Sequence, residues 1–172
     1  HVIYSSNIYL DNLFFKDANG DAIDIDMSEN VSIENSNFYN SNNDAIDLME
    51  SNAIIKNVNI VNSKDKGISI GEASEVKIFS SKLIDNNIAI AIKDGSKSNS
   101  NKIEFLNNKI QVAAYKKNLQ YGSGGNIIIT ESKFVNNVNK FSSKDSKIII
   151  KKSELIGDSD IDGKNIYFYD WK

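Results

Sequence analysis

Cysteine, proline and arginine are all absent from this 172-residue chain. Without cysteine there is no disulfide, no thiol nucleophile and no thiolate metal site. Without arginine every Lys+Arg position is a lysine, so no bidentate fork for a carboxylate or phosphate is available. Histidine occurs once, as His1. A frayed terminus makes it a poor general base. The net charge of −3 and the low pI of about 5.2 argue against a nucleic-acid binder, which needs a basic face to neutralise phosphates. No stretch is long and apolar enough to span a bilayer. The chain opens at His1 rather than Met and shows no signal peptide, which predicts a mature protein or a piece of a larger one.

What is present is a repeat. Hydrophobic residues make up 40% of the chain, enough for a real core, and they recur at a fixed step. The segments NIYLDNLFF (7–15), NVSIENSNF (30–38), NAIIKNVNI (52–60), EVKIFSSKL (75–83), KIEFLNNKI (102–110), NIIITESKF (126–134) and KIIIKKSEL (147–155) align with one another. Their second positions are Ile8, Val31, Ala53, Val76, Ile103, Ile127 and Ile148. Their ninth are Phe15, Phe38, Ile60, Leu83, Ile110, Phe134 and Leu155. A second series reads DAIDID (21–26), DAIDLM (44–49), KGISIG (66–71) and IAIAIK (88–93), with steps of 22 or 23 between equivalent residues. Within each segment apolar and polar residues alternate, and Ile and Val dominate, as in strands with one face inward.

A coil of two or three strands per turn fits this period, whereas a six-residue left-handed helix needs a shorter one and a leucine-rich repeat needs leucine. The pattern therefore predicts an all-β chain: a right-handed parallel β-helix solenoid of about seven coils of roughly 22 residues, forming one domain over 1–172. Regular coils are expected over 6–95, irregular loops at 96–101 and 114–126, and an aromatic end at 166–172. Asn12, Asn35, Asn57 and Asn107 are expected to stack as a corner ladder of side-chain amides. One coil cannot bury its own apolar face, so the N-terminal end is expected to abut an upstream domain or a partner chain.

GDAIDID (20–26), NDAIDLM (43–49), DKGISIGEASEVKI (65–78) and NNIAIAIKDGS (86–96) resemble the pectate-lyase-like parallel β-helix superfamily over roughly residues 6 to 156. They are similar to modules of bacterial surface and secreted proteins. That resemblance implies an extracellular or cell-surface location and a polysaccharide or surface glycan as partner. It also admits lyases, hydrolases and epimerases, as well as adhesins and plain scaffolds.

Three clusters are candidate sites. Asp24, Asp26, Asp47 and Glu50, with Glu72 beyond them, fall in successive coils. Stacked carboxylates repel, and a hard cation such as calcium relieves that cost. The resemblance implies calcium held by aspartates beside a basic proton acceptor, for which Lys66 and Lys93 are placed. The arginine and the motifs that such enzymes use are missing, so a solvated acidic face is the alternative, and no catalytic residue is assigned. Among the outward aromatics Tyr9, Tyr39, Phe79, Tyr115 and Tyr121, the last two lie in an irregular segment and are candidates for stacking on sugar. The run Tyr167, Phe168, Tyr169 and Trp171 reads as a lid or assembly surface. On these grounds the chain is expected to be a carbohydrate-interacting module that is not catalytic by itself, part of a polysaccharide-modifying enzyme, or a structural spacer.

Overall fold

The structure, a computed structural model, describes residues 1–169. Every strand pairing is parallel, between strands about one coil apart in sequence, so the chain winds as a β-solenoid. Each regular coil contributes a strand to three faces. The first face stacks Val2–Ile3, Ile23–Asp26, Ile46–Met49, Lys66–Gly71, Ile88–Lys93 and Ile110–Tyr115. The second stacks Ser6–Asp11, Glu29–Glu34, Asn52–Lys56, Glu75–Phe79, Lys97–Asn101, Asn126–Thr130, Lys147–Lys151 and Ile166–Tyr169. The third stacks Phe14–Lys16, Asn37–Tyr39, Asn59–Val61, Lys82–Ile84 and Glu104–Leu106. Coils are numbered below by their second-face strand, which gives eight where about seven are expected.

Alternation decides what fills the interior. Ile23, Ile46, Ile68, Ile90 and Val112 are buried in one column, and Ile25, Leu48, Ile70 and Ile92 in the next. Burying each such side chain contributes roughly 1.5–3 kcal/mol. Phe15 stacks on Phe38 at 5.4 Å and Phe105 on Phe134 at 4.4 Å, which continues the columns along the third face.

The corners explain the asparagine content. The turn after each second-face strand hinges on a residue in the left-handed region: Asn12, Asn35, Asn57, Ser80, Lys102, Glu131 and Lys152. The next corner hinges on Asp17, Asn40, Asn62, Asp85 and Asn107. Asn and Asp tolerate this backbone better than other L residues. Asn57 Nδ2 donates to Asn35 Oδ1 at 2.7 Å, and Asn35 Nδ2 to Asp11 Oδ1 at 2.7 Å. Asn62 and Asn40 form a parallel ladder down to Asp17. The ladder at the first corner thus runs from Asn57 through Asn35 to Asp11 rather than to Asn12, and Asn107 belongs to the second corner. At the third corner, between the first-face and second-face strands, buried serines stack: the Oγ atoms of Ser28, Ser51 and Ser74 each accept a backbone N–H from the coil before.

Coil five corrects the expected register. Residues 97–101 are not a loop but a strand, paired Val76↔Ser98 and Ser98↔Ile127. Ser98 and Ser100 take core positions, buried, with their hydroxyls 3.3 Å apart. Ile103 lies in the following corner, and Phe105, not Ile110, continues the ninth-position column, since Phe105 pairs with Leu83 and Phe134 while Ile110 pairs with Ile88. The extra length of this coil lies at 116–125. Beyond it, Lys133–Ser143 runs without a corner from the third face into the first, with an irregularity between Val135 and Val138. At the C-terminal end, Phe168 meets Phe141 edge-on, and Tyr167 and Tyr169 stack outward. Trp171 lies outside the described residues.

Candidate functional site on the first face

The outward side chains of the first face form three columns. Period two places Asp24, Asp47, Ser69, Ala91 and Ala113 in the middle column, since their neighbours in sequence point into the core. The column on the C-terminal side of the strands holds Asp26, Met49, Gly71, Lys93 and Tyr115. Asp44, Lys66, Ile88 and Ile110 stand at the start of the strands.

Asp24 and Asp47 are register partners, so their carboxylates share one column. Burial, then Asp26, Asp47 and Asp21, hold the Asp24 carboxyl above the ordinary range, against a lowering by the chain's amino terminus. Asp26 is raised by burial and by Asp47, against the same lowering. His1 completes this corner: its Nε2 lies 2.8 Å from Asp26 Oδ2 and 3.6 Å from Asp24 Oδ2. Ligand atoms of His1, Asp24 and Asp26 all fall within 4.8 Å of one another. The expected metal set thus divides. Asp24 and Asp26 meet, with Asp47 beside them, whereas Glu50 sits on the corner at a φ of 46° and accepts a hydrogen bond from Tyr121 Oη at 3.3 Å. His1 enters because Val2 pairs with Ile25, a register that no periodicity of the first residue could signal.

Asp44 and Lys66 form a second, more buried group. Asp44 Oδ1 accepts the Lys66 backbone N–H at 2.9 Å and lies 3.3 Å from its Nζ, and Asp65 binds the same ammonium. Burial raises the Asp44 carboxyl to about 6, with the Lys66 charge opposing. Burial also pulls Lys66 down, but the hydrogen bond to Asp65 and the charges of Asp44 and Asp65 outweigh it and leave the ammonium above its ordinary value. The Lys66 ammonium is thus held between two carboxylates. Lys93 is almost fully buried over Gly71, where an added Cβ would stand 3.0 Å from its Cε. Glu72 is raised by burial, tempered by Lys93. Between these groups Ser69 is fully buried, and its Oγ has no hydrogen-bond partner.

The inserted segment 116–125 closes on this face. Asp94 Oδ1 accepts the backbone N–H groups of Lys117 at 2.6 Å and Asn118 at 2.9 Å. Gly124 and Gly125 press against the neighbouring coils: a Cβ at Gly125 would collide with the Ile92 carbonyl, and one at Gly124 with Ser146. The segment YGSGGN is thus a close-packed crossing rather than a simple turn. Tyr121 lies beside Gly95 and reaches Glu50 across 71 residues of sequence. Tyr115, at the root of the insertion, is half-buried. Burial raises its phenol, Lys66 opposes, and Asp65, Asp44 and Asp94 add to the rise. Both aromatics assigned from sequence therefore border the acidic face. Tyr9 and Phe79 lie on the second face instead, and Tyr39 packs on Phe14 at 5.5 Å.

Parallel coils with inward aliphatic columns, left-handed corners and one polar outer face define a parallel β-solenoid of the β-helix type. A family model described as the right handed beta helix region matches residues 1–165, and the chain belongs to that family. No curated protein matches it.

Proposed function

We propose that this β-helix module holds an extracellular or cell-surface polysaccharide against its first face and leaves it uncut. The observation that carries this reading is the crossing of segment 116–125, which sets Tyr121 beside Glu50, while Tyr115 ends the first-face strand Ile110–Tyr115 at its root. Sugar rings stack on aromatic faces, and their hydroxyls bond to neighbouring carboxylates. The Lys66 ammonium, paired with both Asp44 and Asp65, supports a binding role over proton abstraction. Calcium fits the donor chemistry at Asp24, Asp26 and Asp47, which offer hard oxygens. It takes six to eight oxygen ligands, so water and an acidic sugar would complete the shell.

Calorimetry with calcium and a panel of neutral and uronic oligosaccharides tests this. Wild type binds, Tyr121→Ala weakens sugar binding, and Asp24→Asn with Asp47→Asn removes the calcium-dependent part. A folded wild type that binds neither calcium nor any oligosaccharide overturns it. Product formation from a polysaccharide would replace it with the enzyme reading.

A second reading, an assembly module, draws on the first coil, where Tyr4 is 75% and Phe14 67% exposed. A further coil or a partner chain stacked there would cover them. Sedimentation that returns a monomer at every concentration counts against a self-partner, and Phe14→Ser leaves that result unchanged.

A further inference from the structure

The second face carries a different surface. Two shallow grooves lie on its outer side and share Lys97 and Asn99. Together they extend from Asn30 in coil two to Lys147 in coil seven. Five coil steps of about 4.8 Å make a trough of about 24 Å along the solenoid axis. Its floor includes Ile54, Ile128 and Ile149, outward aliphatic side chains in a single register column with Lys77 and Asn99. Ile54 is 43% exposed.

Charge on this face changes sign along the axis. Coils one and two present Asp11, Glu29 and Glu34. From coil three to coil seven the outward residues include Lys56, Lys77, Lys97, Lys147 and Lys151 against Glu75 alone. Glu75 pairs with Lys97 at 3.5 Å, with both side chains 68% exposed, so the pair is loose and screened. At the far end Lys147 lies 5.5 Å over the Tyr167 ring and Lys151 5.8 Å over Tyr169, which extends the basic strip onto two outward rings.

We propose that this trough binds a single strand of anionic polysaccharide running parallel to the solenoid axis, without a metal ion. Lysine ammonium groups on a flexible stem meet carboxylates as point charges at varied spacing. The aliphatic floor packs the C–H faces of sugar rings, and Asn52, Asn99 and Asn126 offer amides to hydroxyls. The acidic first face repels the same polymer unless calcium intervenes, so the two surfaces separate by metal dependence. This inference does not rest on the first-face reading.

The test is binding of an oligogalacturonate in EDTA, measured by calorimetry against its methyl ester and a single-stranded oligodeoxynucleotide of equal charge. The acid binds, binding weakens with salt, and the ester does not bind. Lys77→Glu with Lys97→Glu weakens binding about tenfold. Circular dichroism confirms that these exposed replacements fold. No binding in EDTA, indifference to the lysine replacements, or equal binding of the ester or the oligodeoxynucleotide overturns the proposal.

Discussion

Coils two to four and coils five to seven build the same faces by different means. In the earlier coils the devices recur at 22 or 23 residues: asparagine rails at two corners of coils two and three, stacked serines at the third corner, aliphatic pairs inside. In the later coils Lys102 and Glu131 occupy the left-handed corner, Ser98 and Ser100 enter the core, and one corner gives way to a continuous strand. The backbone register nevertheless continues unbroken on the second face from coil one to coil eight. Each coil needs only to match its neighbours, so the ladder of backbone hydrogen bonds keeps the period while side chains vary. The region released from the repeating devices is also the one that carries Tyr115, Tyr121 and the insertion.

The largest contrast lies between two glycines. Gly125→Ala forces a Cβ into the Ile92 backbone, whereas Gly20→Ala meets nothing within 4 Å. Urea denaturation should show a loss of about 2–3 kcal/mol for the first, as expected for overpacking, and within about 0.5 kcal/mol for the second. Equal effects would mean that segment 116–125 does not pack as a part of the solenoid.

The polar core of coil five offers a gain. Ser98→Val with Ser100→Val removes both hydroxyl partners together and restores the aliphatic columns of Val76, Ile78, Ile127 and Ile129. Replacing a whole buried polar pair leaves no orphan, and the added apolar burial should raise stability by about 1–2 kcal/mol. A loss in the same denaturation assay would show that the neighbouring side chains already fill the space around the serines.

Asp44 belongs to the earlier coils and separates their buried electrostatics from their packing. Its folded value of about 6 exceeds the ordinary carboxylate value of about 3.9. The folded state therefore takes up this proton first as pH falls. Stability from this group grows as pH drops through about 6 toward 4, and it is lost as pH rises through the folded value. Asp44→Asn, which keeps an acceptor for the Lys66 N–H, should stabilise the protein at pH 7 by on the order of 1 kcal/mol, after allowance for the lost pairing with Lys66. Stability against pH from 4 to 7, compared with wild type, checks it. A mutant slope as steep as that of wild type would assign the titration elsewhere.

The solenoid is legible because Ile8, Val31, Ala53 and Val76 repeat in chain order, with the strand period around them. It becomes illegible at Ser98, where KSNSN keeps the alternation of inward and outward residues but offers no apolar signal. Alignment by hydrophobicity then moves to Ile103, which is a corner residue. Asp24, Asp26 and Asp47 are legible as one face for the same reason as the core: period two within a strand, one coil between strands. Glu50 is not, because one left-handed corner residue turns the chain away from that face. The Tyr121–Glu50 contact depends on the path of an insertion, and the buried Ser69 and Asp94 depend on what covers them; neither leaves a periodic trace.

The smallest effect tests whether side chain or register governs the corners. Asn57 in coil three and Lys102 in coil five hold the same corner at φ values of 54° and 56°. Asparagine tolerates that backbone through its short polar side chain, and lysine does not share the advantage. Lys102→Asn should therefore raise stability by about 0.5 kcal/mol, and Asn57→Lys should lower it by somewhat more, because it also removes the hydrogen bond to Asn35. Thermal denaturation of the two variants measures the difference. If Lys102→Asn gains nothing while Asn57→Lys loses the full amount, the rail of amides, and not the conformational preference, stabilises the regular coils. The later coils then hold that corner by backbone register alone.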